Sequence, residues 1–318
     1  MLALRITEFG PPETLHMSEI ERPRPGTDEV LVEIRAAGLN PSDIGNILGR
    51  FIQTQLPRIP GRDFAGIVVE GPEELRGQEV WASGAEFGFT RDGSHAQYIV
   101  APRDTLSLKP HNLSMEQAGA IGVPFLTAWL TLQASGASKG DSVLVLGARG
   151  AVGNAAIELG KMRGLRMFGA QRGEPRGNEL YDVINTERPD AQTDLMKLTH
   201  GEGVSACIDT VGGPLFDLGL TCLAHGGRLV AITARGDGQV QFNMRDFYHR
   251  ELHLVGVDSL QLGASQTAHI LSEIKQGFEA GTLRAPQEIR TFPLQEAPRA
   301  YQLLAQGSAG GKIVFIPC

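Results

Sequence analysis

Residues 143–153 read Val-Leu-Val-Leu-Gly-Ala-Arg-Gly-Ala-Val-Gly, and this stretch decides the fold that the sequence predicts. Its first four residues form a continuous apolar run, which is typical of a strand buried on both faces of a parallel sheet. The glycines that follow open a predicted helix, 151–163. Strand, glycine turn and helix N-terminus together indicate a site for the pyrophosphate of a dinucleotide. The turn residues predicted to bind it are Gly147, Arg149, Gly150, Ala151, Val152 and Gly153.

Each glycine of this turn has its own reason to be glycine. Gly147 permits the tight turn, Gly150 lets the backbone approach a pyrophosphate, and Gly153 lets the helix pack against the strand. A plain glycine turn in another kind of α/β protein is the alternative. The segments that follow favour the dinucleotide site, because strands and helices alternate there as a parallel sheet with helices on both faces requires. The further predicted strands are 165–170, 182–184, 204–209, 228–232 and 252–257, with helices at 190–199 and 215–223.

The rest of the chain has a different pattern. Residues 1–122 read as short strands separated by clusters of proline and glycine, which predicts a compact, barrel-like β region. The final elements, including a strand at 312–316, do not extend the alternation and are predicted to return to this region. We therefore predict two domains, one of residues 1–122 with 260–318 and one of residues 123–259.

Composition and charge exclude several classes of protein. The chain of 318 residues carries 29 Lys and Arg against 36 Asp and Glu, a net charge of −7, so a nucleic-acid partner is not expected. The most apolar stretch, 118–132, is interrupted by Pro124, and no membrane span is expected. Three scattered cysteines and the lack of a signal-peptide pattern predict a reducing, cytoplasmic compartment.

The end of the predicted second strand of the nucleotide-binding sheet bears on the choice of cofactor. It reads Gly169-Ala170-Gln171-Arg172-Gly173, with no carboxylate at the tip to hold the ribose hydroxyls of NAD. Gln171 and Arg172 are predicted to bind the cofactor, and Arg172 or Arg176 to face a 2′-phosphate. NADP(H) is therefore the predicted cofactor. The alternative is that these arginines belong to a solvated loop.

Seven different short motifs are distributed along nearly the whole chain. Their order and spacing are more specific than any single motif. They are Gly38-Leu39-Asn40-Pro41-Ser42-Asp43, residues 60–66, Thr127-Ala128-Trp129, the glycine turn, Asp209-Thr210-Val211-Gly212-Gly213, residues 226–230 and residues 311–314. Together they resemble the zinc-free medium-chain dehydrogenase/reductase superfamily, in its quinone oxidoreductase and enoyl reductase branch.

The resemblance implies an α/β fold with a GroES-like β-barrel domain and a Rossmann domain with a doubly wound parallel sheet, and an active site in the cleft between them. Members commonly form homodimers by joining Rossmann sheets edge to edge, which makes 252–257 the candidate edge strand. Four residues are expected at the nicotinamide end of the cofactor: Thr127, Val211, Ile232 and Thr233. Thr210 is expected to bind the cofactor, and Lys312 is expected near it.

The chain also departs from the superfamily's patterns. Zinc-dependent relatives carry a cysteine in the first motif and a histidine in the second, where this chain has Asn-Pro-Ser-Asp and Arg62. No metal is therefore predicted, with a cluster of Asp43, Asp63 and His95 as the alternative. The segment between Gly169 and Asp182 is shorter than usual, so the helix after the second strand is predicted to be missing or reduced.

Three residues are the candidates for catalysis. Without zinc, hydride transfer to a quinone or enone needs orientation and a donor near the acceptor oxygen. Asn40 is the first candidate, since its amide donates without titrating, and a turn role is its alternative. Asp43 is a candidate acid, or a brace for the next helix. Arg62 orients substrate, or forms an ion pair with Asp63 or Glu33.

The predicted function is NADPH-dependent reduction of a small quinone or α,β-unsaturated carbonyl without zinc, with the proton supplied by water. A 2-enoyl-CoA or acyl-carrier thioester reductase is the first alternative. Those enzymes place a tyrosine acid shortly after the Asn-Pro-Ser-Asp motif, where this chain has Phe51. The second alternative is a protein that binds NADPH without turnover, because a fold does not guarantee chemistry.

Overall fold

A computed structural model describes residues 1–84, 86–177 and 179–317 of the chain, which divides into two compact units. One unit comprises Met1–Val123 with Leu260–Cys318, and the other comprises Pro124–Ser259. The second unit is therefore inserted in the chain between the two parts of the first.

The N-terminal segment is mostly strand. Its longest strand, β3, pairs antiparallel with both β4 and β6. Residues 95–100 are strand-like in sequence, but β6 starts at Tyr98, because the N–H groups of Ser94 and His95 donate to the carbonyl oxygens of Gly61 and Pro60. The elements are β1 (Leu2–Arg5), β2 (His16–Glu19), β3 (Glu29–Gly38), α1 (Pro41–Ile47), β4 (Asp63–Glu70), β5 (Glu79–Ala82), β6 (Tyr98–Pro102), β7 (Ser107–Leu108) and α2 (Met115–Gly119).

The inserted unit alternates strands and helices. The helix α3 (Gly122–Ser135) leads into it. The first strand, β8, is buried throughout its apolar run because neighbouring strands and helices cover it on all sides. The remaining elements are β8 (Ser142–Leu146), α4 (Ala151–Met162), β9 (Arg166–Gln171), β10 (Asp182–Asn185), α5 (Ala191–Leu198), β11 (Val204–Asp209), α6 (Phe216–Thr221), β12 (Leu223–Ala231), α7 (Met244–His249) and β13 (His253–Gly256).

These strands form a six-stranded, fully parallel sheet in the order β10-β9-β8-β11-β12-β13. The chain moves outward in one direction from β8 and then in the other from β11, so the strand order reverses between these two central strands. In such sheets ligands bind beyond the carboxyl ends of the strands at the point of reversal. The turn after β8 occupies that point.

One strand of this unit differs in extent from the sequence-based prediction, and one predicted reduction is observed. β12 begins at Leu223, before Gly226 and Gly227, and its register against β11 shifts across those glycines. Between β9 and β10 the structure has no helix in residues 172–177 or 179–181, in agreement with the short segment noted in the sequence.

The C-terminal segment completes the first unit. It contains α8 (Ala264–Glu279), β14 (Ile289–Pro293), α9 (Ala297–Ala305) and β15 (Lys312–Ile316). β15 pairs antiparallel with β3 and parallel with β14, so the last strand lies inside a sheet ordered β14-β15-β3-β4-β5-β7, with β6 also on β3. Within the described part of the chain, no helix is long and apolar enough to span a membrane.

Candidate functional site

The glycine turn after β8 is a tight connection into α4. Gly147 has φ +79°, a left-handed conformation that favours glycine. The N–H groups of Gly147 and Ala148 both donate to the carbonyl oxygen of Ala170, at 2.9 and 3.2 Å. A Cβ atom on Gly153 would lie 2.2 Å from the carbonyl oxygen of Gly147, so a larger residue does not fit there. Both glycines are therefore required by the path of the backbone.

The first turn of α4 presents unpaired backbone donors. Gly150 is the N-cap, no side chain bonds to the helix end, and no acidic residue lies in the first turn. The N–H groups of Ala151, Val152 and Gly153 have no acceptor within the helix, and they lie at the positive end of its dipole. A pyrophosphate fits this arrangement, since it supplies the missing acceptors and a negative charge.

The loop after β11 packs directly against this turn. The Thr210 hydroxyl donates to the carbonyl oxygen of Leu146 at 2.7 Å. A Cβ atom on Gly147 would lie 2.6 Å from Oγ1 of Thr210 and 2.9 Å from Cγ2 of Val211. The N–H of Val211 donates to the Asp209 carboxylate at 2.9 Å, which fixes the loop. The structure thus brings the predicted residues Thr210 and Val211 to the turn.

The strand after this loop adds the third part of the same surface. Gly212 has φ +72°, and a Cβ atom on it would lie 2.9 Å from the carbonyl oxygen of Thr233. The N–H of Ile232 donates to the carbonyl oxygen of Asp209 at 3.4 Å. Thr127 is a buried residue of α3, and no hydrogen bond among the described residues joins it to the glycine turn. Ile232 and Thr233 therefore lie beside the loop after β11, which itself packs against the glycine turn.

At the end of β9 the predicted cofactor residues differ in accessibility. Gln171 is 4% exposed, and its Oε1 accepts a hydrogen bond from the Tyr181 hydroxyl at 2.6 Å. Arg172 is exposed, and its guanidinium makes no hydrogen bond or ion pair with any described residue. Glu174 accepts a hydrogen bond from Arg188 at 2.7 Å. Arg172 and Arg176, the two arginines predicted to face a 2′-phosphate, are both exposed, and Arg172 lies directly after the strand.

Arg149, in the glycine turn itself, reaches to the loop after β9. Its Nη1 donates to the carbonyl oxygen of Arg172 at 2.9 Å and its Nη2 to that of Glu174 at 3.0 Å. Nη2 also lies 3.5 Å from the Glu179 carboxylate. The side chain of this predicted cofactor residue is therefore engaged with the protein.

The other unit contains a polar cluster, which we define as Asn40, Asp43, Asp63 and Lys312. Asn40 Nδ2 donates to Asp63 at 2.8 Å, and Lys312 Nζ donates to Asn40 Oδ1 at 2.5 Å and to the carbonyl oxygen of Leu39 at 3.0 Å. Lys312 Nζ lies 3.7 Å from Asp63. Asn40 and Asp63 are almost fully buried. Lys312, predicted near the cofactor, thus contacts the predicted catalytic amide.

Asp43 braces the start of α1. Its Oδ2 accepts a hydrogen bond from the backbone N–H of Asn40 at 2.8 Å, and its Oδ1 has no partner among the described residues. The pKa of Asp43 is raised to about 7, mainly by burial and also by the nearby Asp63, against the opposing effect of that N–H. The group therefore holds a proton far more readily than a surface carboxyl does.

Arg62, the third catalytic candidate, is also buried. Its Nε donates to the carbonyl oxygen of Gly84 at 3.1 Å, and its guanidinium carbon lies 5.8 Å from the centre of the Phe89 ring. It is 2% exposed. Its positive charge acts on the same carboxyl, since it lowers the pKa of Asp43.

Two of the three side chains considered as zinc ligands, His95 and Asp63, have both of their ligating atoms close to other protein groups. His95 Nδ1 lies 2.8 Å from the Tyr301 hydroxyl and Nε2 lies 3.3 Å from the carbonyl oxygen of Gly38. Burial lowers the pKa of His95 to about 3, so the ring is neutral. The second oxygen of Asp63 accepts from the N–H of Val123 at 2.8 Å. In residues 1–84, 86–177 and 179–317, no group of three or more His, Cys, Asp or Glu side chains could hold a metal ion. These side chains do not fit a zinc site.

Sequence reasoning missed two members of this region. Asp63 was considered only as an ion-pair partner or metal ligand, yet it bonds the amide of Asn40. Tyr301 was not singled out, although it is fully buried against His95. The position of Asp63 just after the Pro60-Gly61 turn is a sequence signal for a functional role. Nothing in the local sequence indicates the role of Tyr301.

Known proteins match both parts of the chain. A family model described as the alcohol dehydrogenase GroES-like domain matches residues 26–111, and one described as zinc-binding dehydrogenase matches residues 180–315. A zinc-type alcohol dehydrogenase-like protein of Schizosaccharomyces pombe is 37% identical, with 88% of this chain and 86% of that protein covered. The quinone oxidoreductase of Lama guanicoe is 31% identical, with 99% of this chain and 97% of the enzyme covered.

Solved structures agree with these relatives. An alcohol dehydrogenase superfamily protein from Novosphingobium aromaticivorans has a TM-score of 0.87 at 29% identity, with both chains covered completely. The Escherichia coli quinone oxidoreductase, solved in complex with NADPH, shares the fold with a TM-score of 0.85 at 22% identity, again over the whole of both chains. The chain is thus an oxidoreductase of the medium-chain dehydrogenase/reductase superfamily and belongs to its quinone oxidoreductase branch.

Proposed function

We propose that this chain is an NADPH-dependent reductase of quinones or α,β-unsaturated carbonyls that works without zinc. The observation that carries the proposal is the glycine turn at the reversal of the parallel sheet, with unpaired N–H groups at Ala151, Val152 and Gly153. We further propose the domain division 1–122 with 260–318 and 123–259, a homodimer, and a cytoplasmic location.

Charge at the end of β9 supports NADPH over NADH. NAD-specific relatives of this fold hold the ribose hydroxyls with a carboxylate at this position. The first carboxylate after β9 in the sequence, Glu174, is bound by Arg188 and by Asn185 at 2.7 and 3.1 Å. Arg172 is an exposed cation directly after this strand, and a guanidinium bonds a phosphate with two parallel N–H groups. The 2′-phosphate of NADPH is the group that such a side chain suits.

Bound NADPH supplies the hydride, and the chain's own residues orient the acceptor. Asn40 has a second N–H on Nδ2 beyond the one that bonds Asp63, and this N–H has no partner among the described residues. In the proposed reaction it donates to the oxygen of the quinone or enone, which takes up negative charge as the hydride arrives. Lys312 and Asp63 hold the amide, Asp43 braces the helix that follows it, and Arg62 orients the substrate.

The zinc-free part of the proposal rests on the donor set. Asp63 and His95 have both of their ligating atoms engaged with protein groups, and Asp43 has one. A zinc site needs three or four such side chains free to converge on one point. The names of the matching family model and of the S. pombe relative mention zinc, so metal content is a discriminating measurement. Turnover that is lost on chelation and restored by zinc would refute this part.

The experiment that tests the function follows NADPH oxidation by purified protein with three acceptors: a naphthoquinone, a simple enone and a crotonyl thioester. We expect turnover with the first or second. Preferred turnover of the thioester would favour an enoyl thioester reductase, with Phe51→Tyr as the probe for a missing acid. Phe51 packs edge-on against Phe89, with ring centres 5.3 Å apart, and supplies no proton. Tight NADPH binding without any turnover would indicate a non-catalytic protein.

A further inference from the structure

Between β9 and β10, the described residues 172–177 and 179–181 are contacted by one side chain from the glycine turn. Arg149 donates to the carbonyl oxygens of Arg172 and Glu174 and lies 3.5 Å from Glu179. In residues 172–177 and 179–181 there is no helix to stiffen this loop. The guanidinium therefore restrains the loop backbone in place of helical hydrogen bonds, because its planar fork binds two carbonyl oxygens at once.

Arg149 is poorly placed to bind a phosphate itself. Its charge faces the carboxylate of Glu179, which accepts N–H groups of Arg176 and Gly177 at 2.6 and 2.8 Å. The first of these bonds is the main reason that the pKa of Glu179 falls to about 2, so this carboxylate is ionised at neutral pH. Arg172, in contrast, has an exposed guanidinium with no partner among the described residues. The two arginines thus have different roles.

We propose that Arg149 is a positioning residue for cofactor specificity: by fixing the carbonyls of Arg172 and Glu174, it aims the Arg172 side chain at the 2′-phosphate of NADPH. This inference rests on the proposed function, because it needs NADPH as the cofactor. It adds that the preference for NADPH depends on a residue of the pyrophosphate-binding turn that does not contact the 2′-phosphate.

The loop has a second set of anchors, so removing Arg149 is expected to shift it rather than unfold it. The N–H of Gly173 donates to Asn185 Oδ1 at 3.2 Å, and Arg188 bonds the Glu174 carboxylate at 2.7 Å. These bonds come from β10 and the residues after it, on the far side of the loop. Removal of Arg149 is therefore expected to change the orientation of the Arg172 side chain and to leave the folding of the unit intact.

The test measures dissociation constants of NADPH and NADH by nucleotide fluorescence for the wild type and three variants. We expect Arg172→Ala to weaken NADPH binding by about 10- to 100-fold, because a charge-assisted hydrogen bond is lost, and to leave NADH unchanged. Arg149→Ala is expected to lower the ratio of NADPH to NADH affinity by about tenfold. Arg166→Ala removes a positive charge from the opposite end of β9 and is the matched control, with no change in the ratio.

The double variant separates positioning from direct contact. If Arg149 acts through Arg172, then Arg149→Ala changes the ratio by less than about twofold when Arg172 is already alanine. Additive losses would overturn the inference, since they would mean that Arg149 contacts the phosphate. Equal loss of NADPH and NADH affinity would also overturn it. Amide exchange gives a second readout: Gly173, Arg176 and Gly177 should exchange faster in Arg149→Ala, and Arg149→Gln serves if the alanine variant does not fold.

Failure of this inference is distinguishable from failure of the proposed function. A wild type that prefers NADPH and turns over a quinone, with an Arg149→Ala variant of unchanged ratio, refutes the inference alone. A wild type that does not bind NADPH refutes both. Adenosine 2′,5′-bisphosphate and adenosine 5′-monophosphate, titrated in parallel, show whether the affected contact is with the 2′-phosphate.

Discussion

Asn40 is an amide whose orientation is set by charges of opposite sign. Its oxygen accepts a hydrogen bond from the Lys312 ammonium and its nitrogen donates to the Asp63 carboxylate. Exchanging the two ends would place N–H groups against an ammonium and an oxygen against a carboxylate. The amide is therefore fixed before any substrate arrives, which is the preorganisation that electrostatic catalysis requires.

Lys312→Met is expected to destabilise the protein strongly. It removes the cation from a buried group of charges and leaves the Asp63 carboxylate and the Asn40 oxygen without it, a change that costs about 3 to 5 kcal/mol of unfolding free energy. Urea denaturation measures the loss. The matched control is Lys197→Met, since Lys197 forms an exposed pair with Asp194 at 3.3 Å, where about 1 kcal/mol or less is expected. Equal losses in the two variants would contradict the buried pairing.

Asp43 and His95 are expected to give the stability of the protein opposite pH dependences. Asp43 has a pKa of about 7 in the folded chain against its usual 3.8, so between these values the folded state holds the extra proton and stability falls as pH rises. His95 has a pKa of about 3 against its usual 6.5, so there the unfolded state holds the extra proton and stability rises with pH. Each contributes a slope of about 1.4 kcal/mol per pH unit, and the two largely cancel between about pH 4 and 6.5.

Single variants remove one slope and reveal the other. From about pH 4.5 to 6, the unfolding free energy of Asp43→Asn should rise with pH more steeply than that of the wild type, by about 1.4 kcal/mol per unit. That of His95→Gln should change in the opposite sense. Asp28→Asn, at a carboxyl that is 81% exposed, is the control. Parallel curves for all four proteins would show that neither group titrates in this way.

Some contacts within the polar cluster can be predicted from local sequence, and others cannot. Asn40 and Asp43 are three positions apart at the start of a predicted helix, so a bond between them is readable from spacing. Lys312 reaches Asn40 across 272 positions, and the pairing of β15 with β3 brings them together. The full membership of the polar cluster therefore depends on strand pairing in the sheet, and no single sequence motif specifies it.

Among the elements, the turn between β8 and α4 combines function and packing in one short segment. A Cβ atom on Gly153 would meet the Gly147 oxygen at 2.2 Å and Cα of Ala148 at 2.9 Å, both backbone atoms that cannot rotate away. The helix must then move from the turn, and the N–H groups at its start move with it. The spacing of the glycines is thus a condition for both the helix packing and the anion site.

Gly153→Ala is expected to lose NADPH affinity by at least tenfold and about 1 to 3 kcal/mol of stability, because overpacking displaces the helix. Fluorescence titration and thermal unfolding measure the two effects. Gly263→Ala is the control, since a Cβ there would meet only Oε1 of Gln266, at an ordinary contact distance of 3.8 Å, and the backbone is not left-handed. Unchanged NADPH affinity in Gly153→Ala would mean that the cofactor does not bind at this turn.

Most element positions can be predicted from apolar patterns, and the exceptions have physical causes. The buried run of β8 and the glycines after it leave little choice of structure. β12 is longer than its sequence suggests because Gly226 and Gly227 resemble a turn but lie within an irregular strand pairing. The carbonyl oxygens of Arg172 and Glu174 accept hydrogen bonds from Arg149, a long side chain whose partners no local sequence pattern specifies.

For the whole molecule, the predicted fold class is confirmed, because the alternation of strands and helices permits few topologies. The predicted superfamily is also confirmed by the relatives. Such an argument cannot give the acceptor, since substrate choice depends on side chains brought together from distant segments.

The free edge of β13 makes association of two copies an expected property of the molecule. β13 is the last strand of its sheet, so one side of its backbone has no partner strand among the described residues, and Leu254 is 42% exposed. We expect sedimentation to give the mass of a dimer. Leu254→Lys places like charges at the edge and is expected to yield monomers, whereas Leu198→Lys, at a similarly exposed leucine on α5, should not. A wild-type monomer would contradict this expectation.

The position of β15 has a consequence for biosynthesis. Because this strand lies between β14 and β3, the sheet of the first unit cannot close until residues 312–316 have been made. A ribosome exposes all of Pro124–Ser259 well before that, so the inserted unit can mature while the earlier part of the nascent chain still waits for its missing strand. During that interval only the end of β3, at Ala37 and Gly38, lacks the strand that β15 later supplies, and these two residues are open to pairing with another chain.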